Sequence, residues 1–176
     1  MNKDKAGKSY WDQNWENSAV PKGIDPNLPG LNNYVPRQFD IFFKKTFSSM
    51  ETKGKKLLEI GCANSQWLSY FDRKFGFSVS GLDYSEEGCA KAGRILANEG
   101  VRGDIICSDF FTPPDDMTGR FDVIVSFGVV EHFQDTTQCI SSFSRFLKPG
   151  GLIITNIPNM TNLNGFLQRV FDRTVY

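Results

Sequence analysis

The chain lacks several features that define other classes of protein. Its 20 basic and 20 acidic side chains cancel, so it has no overall positive charge of the kind that attracts nucleic acid. No apolar run approaches the ~20 residues needed to cross a bilayer, and the first residues contain no signal-peptide core. The single histidine, and four cysteines without a C-x-x-C pair, disfavour a metal site and a disulfide framework. We therefore expect a cytoplasmic protein with no resident metal and with neither nucleic acid nor membrane as a partner.

The residues from Lys56 to Asp83 predict a strand, a helix and a second strand around a ligand site. Lys56–Ile60 is a short apolar run typical of a buried parallel strand, and residues 61–65 form a turn of small residues after it. Ser65 can cap a helix whose amino end faces this turn, which favours an anionic or strongly polar ligand. The second strand, 77–82, leads to Asp83, where a carboxylate can meet a ribose diol.

The glycine pattern of the turn distinguishes two cofactor classes. A dinucleotide site requires G-x-G-x-x-G/A, but Gln66 stands where the last small residue is needed. Residues 59–65, EIGCANS, instead resemble the first motif of class I S-adenosylmethionine-dependent methyltransferases, E/D-x-G-x-G-x-G. Ala63 and Ser65 replace the second and third glycines of that motif.

Further sequence motifs that resemble those of this family follow in the expected order. Asp109 and Phe110, after a strand at 104–107, resemble the adenine-binding pair. Residues 121–131 resemble the fourth strand and its loop, and residues 148–151 resemble the L-K-P-G-G turn before a fifth strand at 152–157.

The resemblance implies that S-adenosyl-L-methionine is the cofactor and that acidic residues at strand ends bind it. Asp83 would accept hydrogen bonds from the ribose, Asp109 from the adenine amine, and Glu59 would lie near the positively charged methionyl end. Alternatively, Asp83 could cap the helix that begins near Ser85, and Asp109 could stabilise a turn. The expected cofactor-binding residues are Glu59, Gly61, Cys62, Ala63, Ser65, Asp83, Tyr84, Ser108, Asp109, Phe110, Phe127 and Gly128.

The implied reaction is methyl transfer to a small-molecule acceptor, at oxygen or nitrogen rather than carbon. His132 is the candidate general base, with Glu131 beside it, for an acceptor that must lose a proton. Alternatively, Glu131 and His132 form a structural hydrogen-bonding corner or open the next helix. Two other functions stay open at this point, namely a non-catalytic domain that binds the cofactor and a nucleotide-dependent oxidoreductase.

The spacing of apolar residues predicts an α/β fold. Helices are expected at 36–50, from residue 85 and at 137–147. Five short strands alternate with helices, which predicts a Rossmann-like, doubly wound, mainly parallel sheet with helices on both faces.

The chain is expected to divide into three parts. Residues 1–50 would be an N-terminal lid or helical segment, in which Tyr10, Trp11 and Trp15 cover the ligands or dock on the core. Residues 51–157 would be the cofactor-binding core. Residues 158–176, with a short helix at 165–176, would begin a substrate-side insertion. Because the family's sheet has seven strands, the last two are expected to be missing, which predicts a truncated chain that self-associates through its exposed fifth strand.

Overall fold

The computed structural model describes residues 4–158, and the five strands in this range form one parallel sheet. The strands are β1 Lys56–Ile60, β2 Ser78–Asp83, β3 Gly103–Cys107, β4 Phe121–Phe127 and β5 Leu147–Asn156. Their spatial order is β3-β2-β1-β4-β5, and each neighbouring pair is parallel. The order changes direction between β1 and β4, which creates a ligand crevice beyond the carboxyl ends of these strands. The predicted Rossmann-like α/β fold is confirmed.

Helices cover both faces of the sheet. They are α1 Lys8–Asn17, α2 Tyr34–Thr46, α3 Trp67–Phe75, α4 Glu86–Asn98 and α5 Thr136–Ser144, with 3-10 turns at Leu31–Asn33, Asp115–Met117 and Val130–His132. Leu57 and Val79 pack in one buried cluster with apolar side chains of α2, α3 and α4. Leu58 and Ile124 point the other way and pack with α5, since neighbouring residues of a strand face opposite sides.

Several element boundaries differ from the sequence prediction. Helix α2 ends at Thr46 rather than at residue 50, and α5 ends at Ser144 rather than at residue 147. Leu147 already pairs with Phe121 as the first residue of β5, so the predicted turn at 148–151 lies inside this strand. The irregular register between Phe121 and Val123 accommodates the extra residues as a bulge.

Some expectations about the two ends of the chain stay predictions. The helix at 165–176 and the fate of the last two family strands concern residues outside the described range. Strands β3 and β5 are the outer strands of the described sheet, and self-association through β5 remains a prediction. Within residues 4–158, no helix combines the length and apolarity required to span a membrane.

Candidate functional site

The main cleft lies beyond the carboxyl ends of β1, β2 and β4, and α1 forms one of its walls. It brings together the small residues after β1, the acidic end of β2, and aromatic side chains from α1 and from the ends of β2, β3 and β4 and the loops that follow them. The lining residues are Asp4, Trp11, Trp15, Gly61, Ala63, Leu82, Asp83, Tyr84, Ser108, Phe110, Phe127, Gly128, Val129, His132 and Phe133. Nine of the predicted site residues therefore share one cleft.

Gly61 cannot be replaced by a larger residue without disturbing the cleft. Its φ of 77° lies in the left-handed region, which glycine adopts without steric cost. A Cβ atom added here would lie 2.3 Å from Cγ2 of Val129. The Gly61 N–H donates to the carbonyl of Leu82 at 2.8 Å, so the turn after β1 is fixed against the end of β2.

The carboxylate of Asp83 is held in place by backbone donors. Oδ2 accepts from the Ala63 N–H at 3.1 Å, and Oδ1 accepts from the Ser85 N–H at 2.8 Å. The side chain is nearly buried, and burial raises the pKa of Asp83 above its ordinary value while these backbone donors lower it. Since a carboxylate can accept about four hydrogen bonds, Asp83 retains acceptor capacity for a ligand in the cleft that it lines.

A second cleft meets the first at the turn after β1. Gly61, Ala63 and Phe127 line both clefts, and the second also includes Glu59, Asn64, Ser65, Gln66, Trp67 and residues from the segment around the start of α2. Ser65 connects β1 to α3, because its Oγ donates to Glu59 Oε1 at 2.6 Å and accepts from the Trp67 N–H at 3.0 Å. The helix itself begins at Trp67 with Gln66 as its cap residue, so Ser65 acts one residue earlier than a standard cap.

Glu59 is a buried carboxyl group with one unused oxygen. The residue is 1% exposed, and Oε2 has no hydrogen-bond partner. Burial raises the pKa of Glu59 to about 8, the Ser65 hydrogen bond opposes this shift, and the nearby Asp83 adds to it. No cation within the described range forms an ion pair with Glu59. The protonated form of the Glu59 carboxyl group is therefore favoured when no ligand is bound.

Asn64 is a site residue that sequence reasoning missed. It is the one described non-glycine residue with a positive φ, at 56°, and Oδ1 is buried without a partner. Asparagine tolerates this left-handed conformation better than most residues. The sequence does show an asparagine inside a turn of small residues, which could have indicated a site residue. That its side-chain oxygen is buried without a partner is visible only in three dimensions.

His132 lines the main cleft from the 3-10 turn after β4. Its ring meets the ring of Trp11 edge to face, with centroids 4.9 Å apart. The adjacent Glu131 has a buried Oε2 without a partner. The N-terminal segment fixes this turn, because the Lys5 N–H donates to the His132 carbonyl at 2.9 Å and Lys5 Nζ donates to the Glu131 carbonyl at 3.0 Å.

Asp4 joins the N-terminal segment to the opposite wall of the cleft. Its Oδ2 accepts from Trp11 Nε1 at 2.6 Å and from the Tyr84 hydroxyl. Burial and the neighbouring Asp4 carboxylate raise the pKa of Tyr84. Asp4 was not among the predicted site residues, because nothing in its local sequence indicates that it reaches a residue 80 positions away.

Three predicted residues do not line either cleft. Cys62 is fully buried beneath the turn, against Gly81. Asp109 is exposed and accepts from the Phe111 N–H at 2.9 Å, which matches the turn-stabilising interpretation. The carboxylate of Glu131 lies near Gly128. Among the described residues, no three His, Cys, Asp or Glu side chains are grouped in a way that could hold a metal ion.

Comparisons with known proteins agree with this geometry. A family model described as a methyltransferase domain matches residues 31–168. The ubiquinone biosynthesis O-methyltransferase of Pseudomonas aeruginosa is 33% identical over 106 residues, which are 60% of this chain and 45% of that protein. The demethylmenaquinone methyltransferase of Staphylococcus carnosus is 30% identical over 140 residues, covering 77% of this chain and 57% of that protein.

A solved structure extends the comparison to a bound complex. The Haemonchus contortus phospholethanolamine N-methyltransferase 2, in complex with phosphomonomethylethanolamine and S-adenosylhomocysteine, has a TM-score of 0.62 and 26% identity. The match covers 80% of this chain and 33% of that chain. The chain spans about half the length of the curated relatives it matches.

Proposed function

Since the chain belongs to the family of class I S-adenosylmethionine-dependent methyltransferases, we propose that it methylates an oxygen or nitrogen atom of a small-molecule acceptor. The observation that carries the proposal is the set of unused acceptor atoms around the turn after β1. Glu59 Oε2 and Asn64 Oδ1 are buried without partners beside the point where the two clefts meet. Buried polar atoms without partners are rare in proteins and call for an explanation, and a cationic ligand group supplies one here.

The residues of the site fit S-adenosylmethionine. The methionyl ammonium group suits Asn64 and the ionised form of Glu59, which a nearby cation favours, and the ribose diol suits the remaining acceptor capacity of Asp83. The apolar walls at Leu82 and Phe110 suit the adenine ring. When bound, this cofactor supplies an electrophilic methyl group on a positively charged sulfur. The missing glycine of the dinucleotide pattern and the family membership both weigh against an oxidoreductase.

His132 is the residue best placed to assist the acceptor. A hydroxyl acceptor must lose its proton as its oxygen is methylated, and His132 would accept that proton in the main cleft. Trp11 contacts the imidazole ring, and the Lys5 hydrogen bond fixes the backbone of His132. The neighbouring Glu131, whose Oε2 has no partner, would stabilise the positive charge of the protonated imidazole. An amine acceptor that is already neutral requires only positioning.

The walls of the cleft favour an acceptor with an apolar or aromatic body. Phe127 and Phe133, which line the same cleft as His132, supply these walls, as is typical of sites for small organic molecules. The relatives support the same class, since their names refer to the biosynthesis of ubiquinone, to demethylmenaquinone and to a small phospho-amine. A hydroxylated aromatic acceptor makes the fullest use of His132.

The first test is calorimetric titration of the chain with S-adenosylhomocysteine. We expect micromolar-range binding that Asp83→Ala reduces by at least tenfold, because the variant removes a charge-assisted acceptor worth about 1.5–3 kcal/mol. Asp104→Ala is the matched control, since Asp104 is exposed on β3. NAD should not bind. Failure of the folded chain to bind S-adenosylhomocysteine would contradict the proposal.

A second experiment separates an enzyme from a non-catalytic binding domain. Methyl transfer from S-adenosylmethionine is measured against a panel of phenols, catechols and amines, with His132→Asn as the variant. For a hydroxyl acceptor we expect His132→Asn to lower kcat by roughly 100-fold or more while S-adenosylhomocysteine still binds. Binding without transfer to any acceptor would favour the non-catalytic alternative.

A further inference from the structure

Lys91 is a buried cation whose hydrogen bonds all go to the end of α1. This residue of α4 is only 6% exposed. Its Nζ donates to the carbonyls of Trp15 and Ser18, and to Ser18 Oγ at 2.8 Å. Ser18 is the residue at which α1 ends. Three acceptors satisfy the three N–H donors of the ammonium group, and the negative end of the helix dipole favours a cation there.

Helix α1 depends on such polar contacts for its position. None of its residues is buried, so no core side chain fixes it on the sheet. Its other polar contacts with the start of α4 include the hydrogen bond from Ser85 Oγ to Asp12 Oδ1 at 2.6 Å, a hydrogen bond from the Glu87 backbone to Asp12, and an exposed ion pair between Lys8 and Glu86. Exposed ion pairs contribute little to stability. Lys91 is therefore the buried attachment of the carboxyl end of α1.

This attachment matters because α1 carries part of the cleft wall. Trp11 and Trp15 both line the main cleft, and their rings stack with centroids 5.6 Å apart. Trp15 is also the residue whose carbonyl accepts from Lys91. A change at Lys91 therefore acts on the cleft through the backbone of α1, although Lys91 itself does not line the cleft.

We propose that Lys91 is a positioning residue that holds Trp11 and Trp15 against the bound cofactor. The inference rests on the proposed function, because it assumes that the main cleft takes the adenosyl part of S-adenosylmethionine. With α1 released, only the fraction of molecules with the helix in place binds the cofactor tightly, so the apparent Kd rises as the reciprocal of that fraction.

The test compares Lys91→Met with the control Arg94→Met in the complete chain. Both variants lose a cation from α4, but Arg94 is exposed. The measurements are calorimetric titration with S-adenosylhomocysteine and acrylamide quenching of tryptophan fluorescence, to which Trp67 of α3 contributes the same background in each protein. For Lys91→Met we expect a roughly tenfold weaker apparent Kd, stronger quenching, and circular dichroism like that of the parent chain. Arg94→Met should match the parent chain in apparent Kd, in quenching and in circular dichroism.

The outcomes separate the two proposals. Unchanged affinity and unchanged quenching in folded Lys91→Met would overturn the role of Lys91 while leaving the cofactor site intact. If the parent chain does not bind S-adenosylhomocysteine, the proposed function fails, and unchanged quenching in Lys91→Met still overturns the anchoring role. If Lys91→Met does not fold, Lys91→Gln decides, because a glutamine amide carries no charge and has only two N–H donors for the three acceptors at the end of α1. Quenching and affinity equal to the parent would then overturn the inference.

Discussion

Replacing Glu59 with glutamine should stabilise the folded chain, and the gain should grow as the pH rises. Burial raises the pKa of this carboxyl group from 4.5 to about 8. Between these two values the folded chain keeps a proton that the unfolded chain has released. The free energy of unfolding therefore falls by about 1.4 kcal/mol for each pH unit in this window, and the loss levels off above the folded pKa.

The magnitude follows from this linkage. From about pH 6 to about pH 8, the Glu59 contribution to the free energy of unfolding should decrease by about 2 kcal/mol. Glutamine has nearly the same shape, can still accept from Ser65 Oγ, and does not ionise. The stability of Glu59→Gln relative to the parent chain should therefore increase by about 2 kcal/mol over the same range.

The assay is urea denaturation of ligand-free protein at both pH values, followed by fluorescence and circular dichroism. Glu16→Gln is the control, because Glu16 is exposed on α1. If the stabilities of Glu59→Gln and the parent chain change in parallel between the two pH values, Glu59 is not a buried protonated acid, and the reasoning fails.

The remaining predictions concern the turn after β1. Gly61→Ala should destabilise the chain by about 1–3 kcal/mol in denaturant melts, because the Cβ atom of the alanine would collide with Val129. A melt like that of the parent chain would contradict the close packing of Val129 on Gly61. Asn64→Gly should leave the unfolding midpoint nearly unchanged, since glycine accepts the positive φ, yet weaken S-adenosylhomocysteine binding roughly tenfold in calorimetry; unchanged affinity would exclude Asn64 from the site. Ser65→Ala should lower the free energy of unfolding by about 1–2 kcal/mol, because Glu59 and the Trp67 N–H each lose a partner; no loss would mean that water replaces the hydroxyl.

The sequence by itself determined the central unit of the fold. The apolar run at Lys56–Ile60, the small residues after it and Asp83 at the end of the next strand each carry a local signal. The residues that carry these signals lie together in the structure, because parallel strands bring their carboxyl ends to the same edge of the sheet. For this reason Gly61, Ala63, Asp83 and Tyr84 share one cleft, as expected.

Local patterns were less reliable where pairing between distant strands decides the structure. The resemblance to the family's L-K-P-G-G motif predicted a turn at 148–151 before β5, but pairing with β4 draws residues 147–156 into one bulged strand. Asp109 follows β3 as expected, yet its side chain turns back to the Phe111 N–H. A motif fixes where a residue stands along the chain, whereas its hydrogen-bond partner depends on the packed surroundings.

Only the tertiary structure revealed how the N-terminal segment completes the site. Asp4 reaches Tyr84, and Lys91 reaches the end of α1, across 80 and 73 to 76 residues of sequence. The unused oxygens of Glu59 and Asn64 likewise follow from burial that no local pattern reports. Periodicity and turn chemistry act between neighbours in sequence, and so they specify the sheet and its glycine turn. Burial and contacts between distant segments arise only when the chain is packed, and they decide which side chains are protonated, unpaired or held against the cleft.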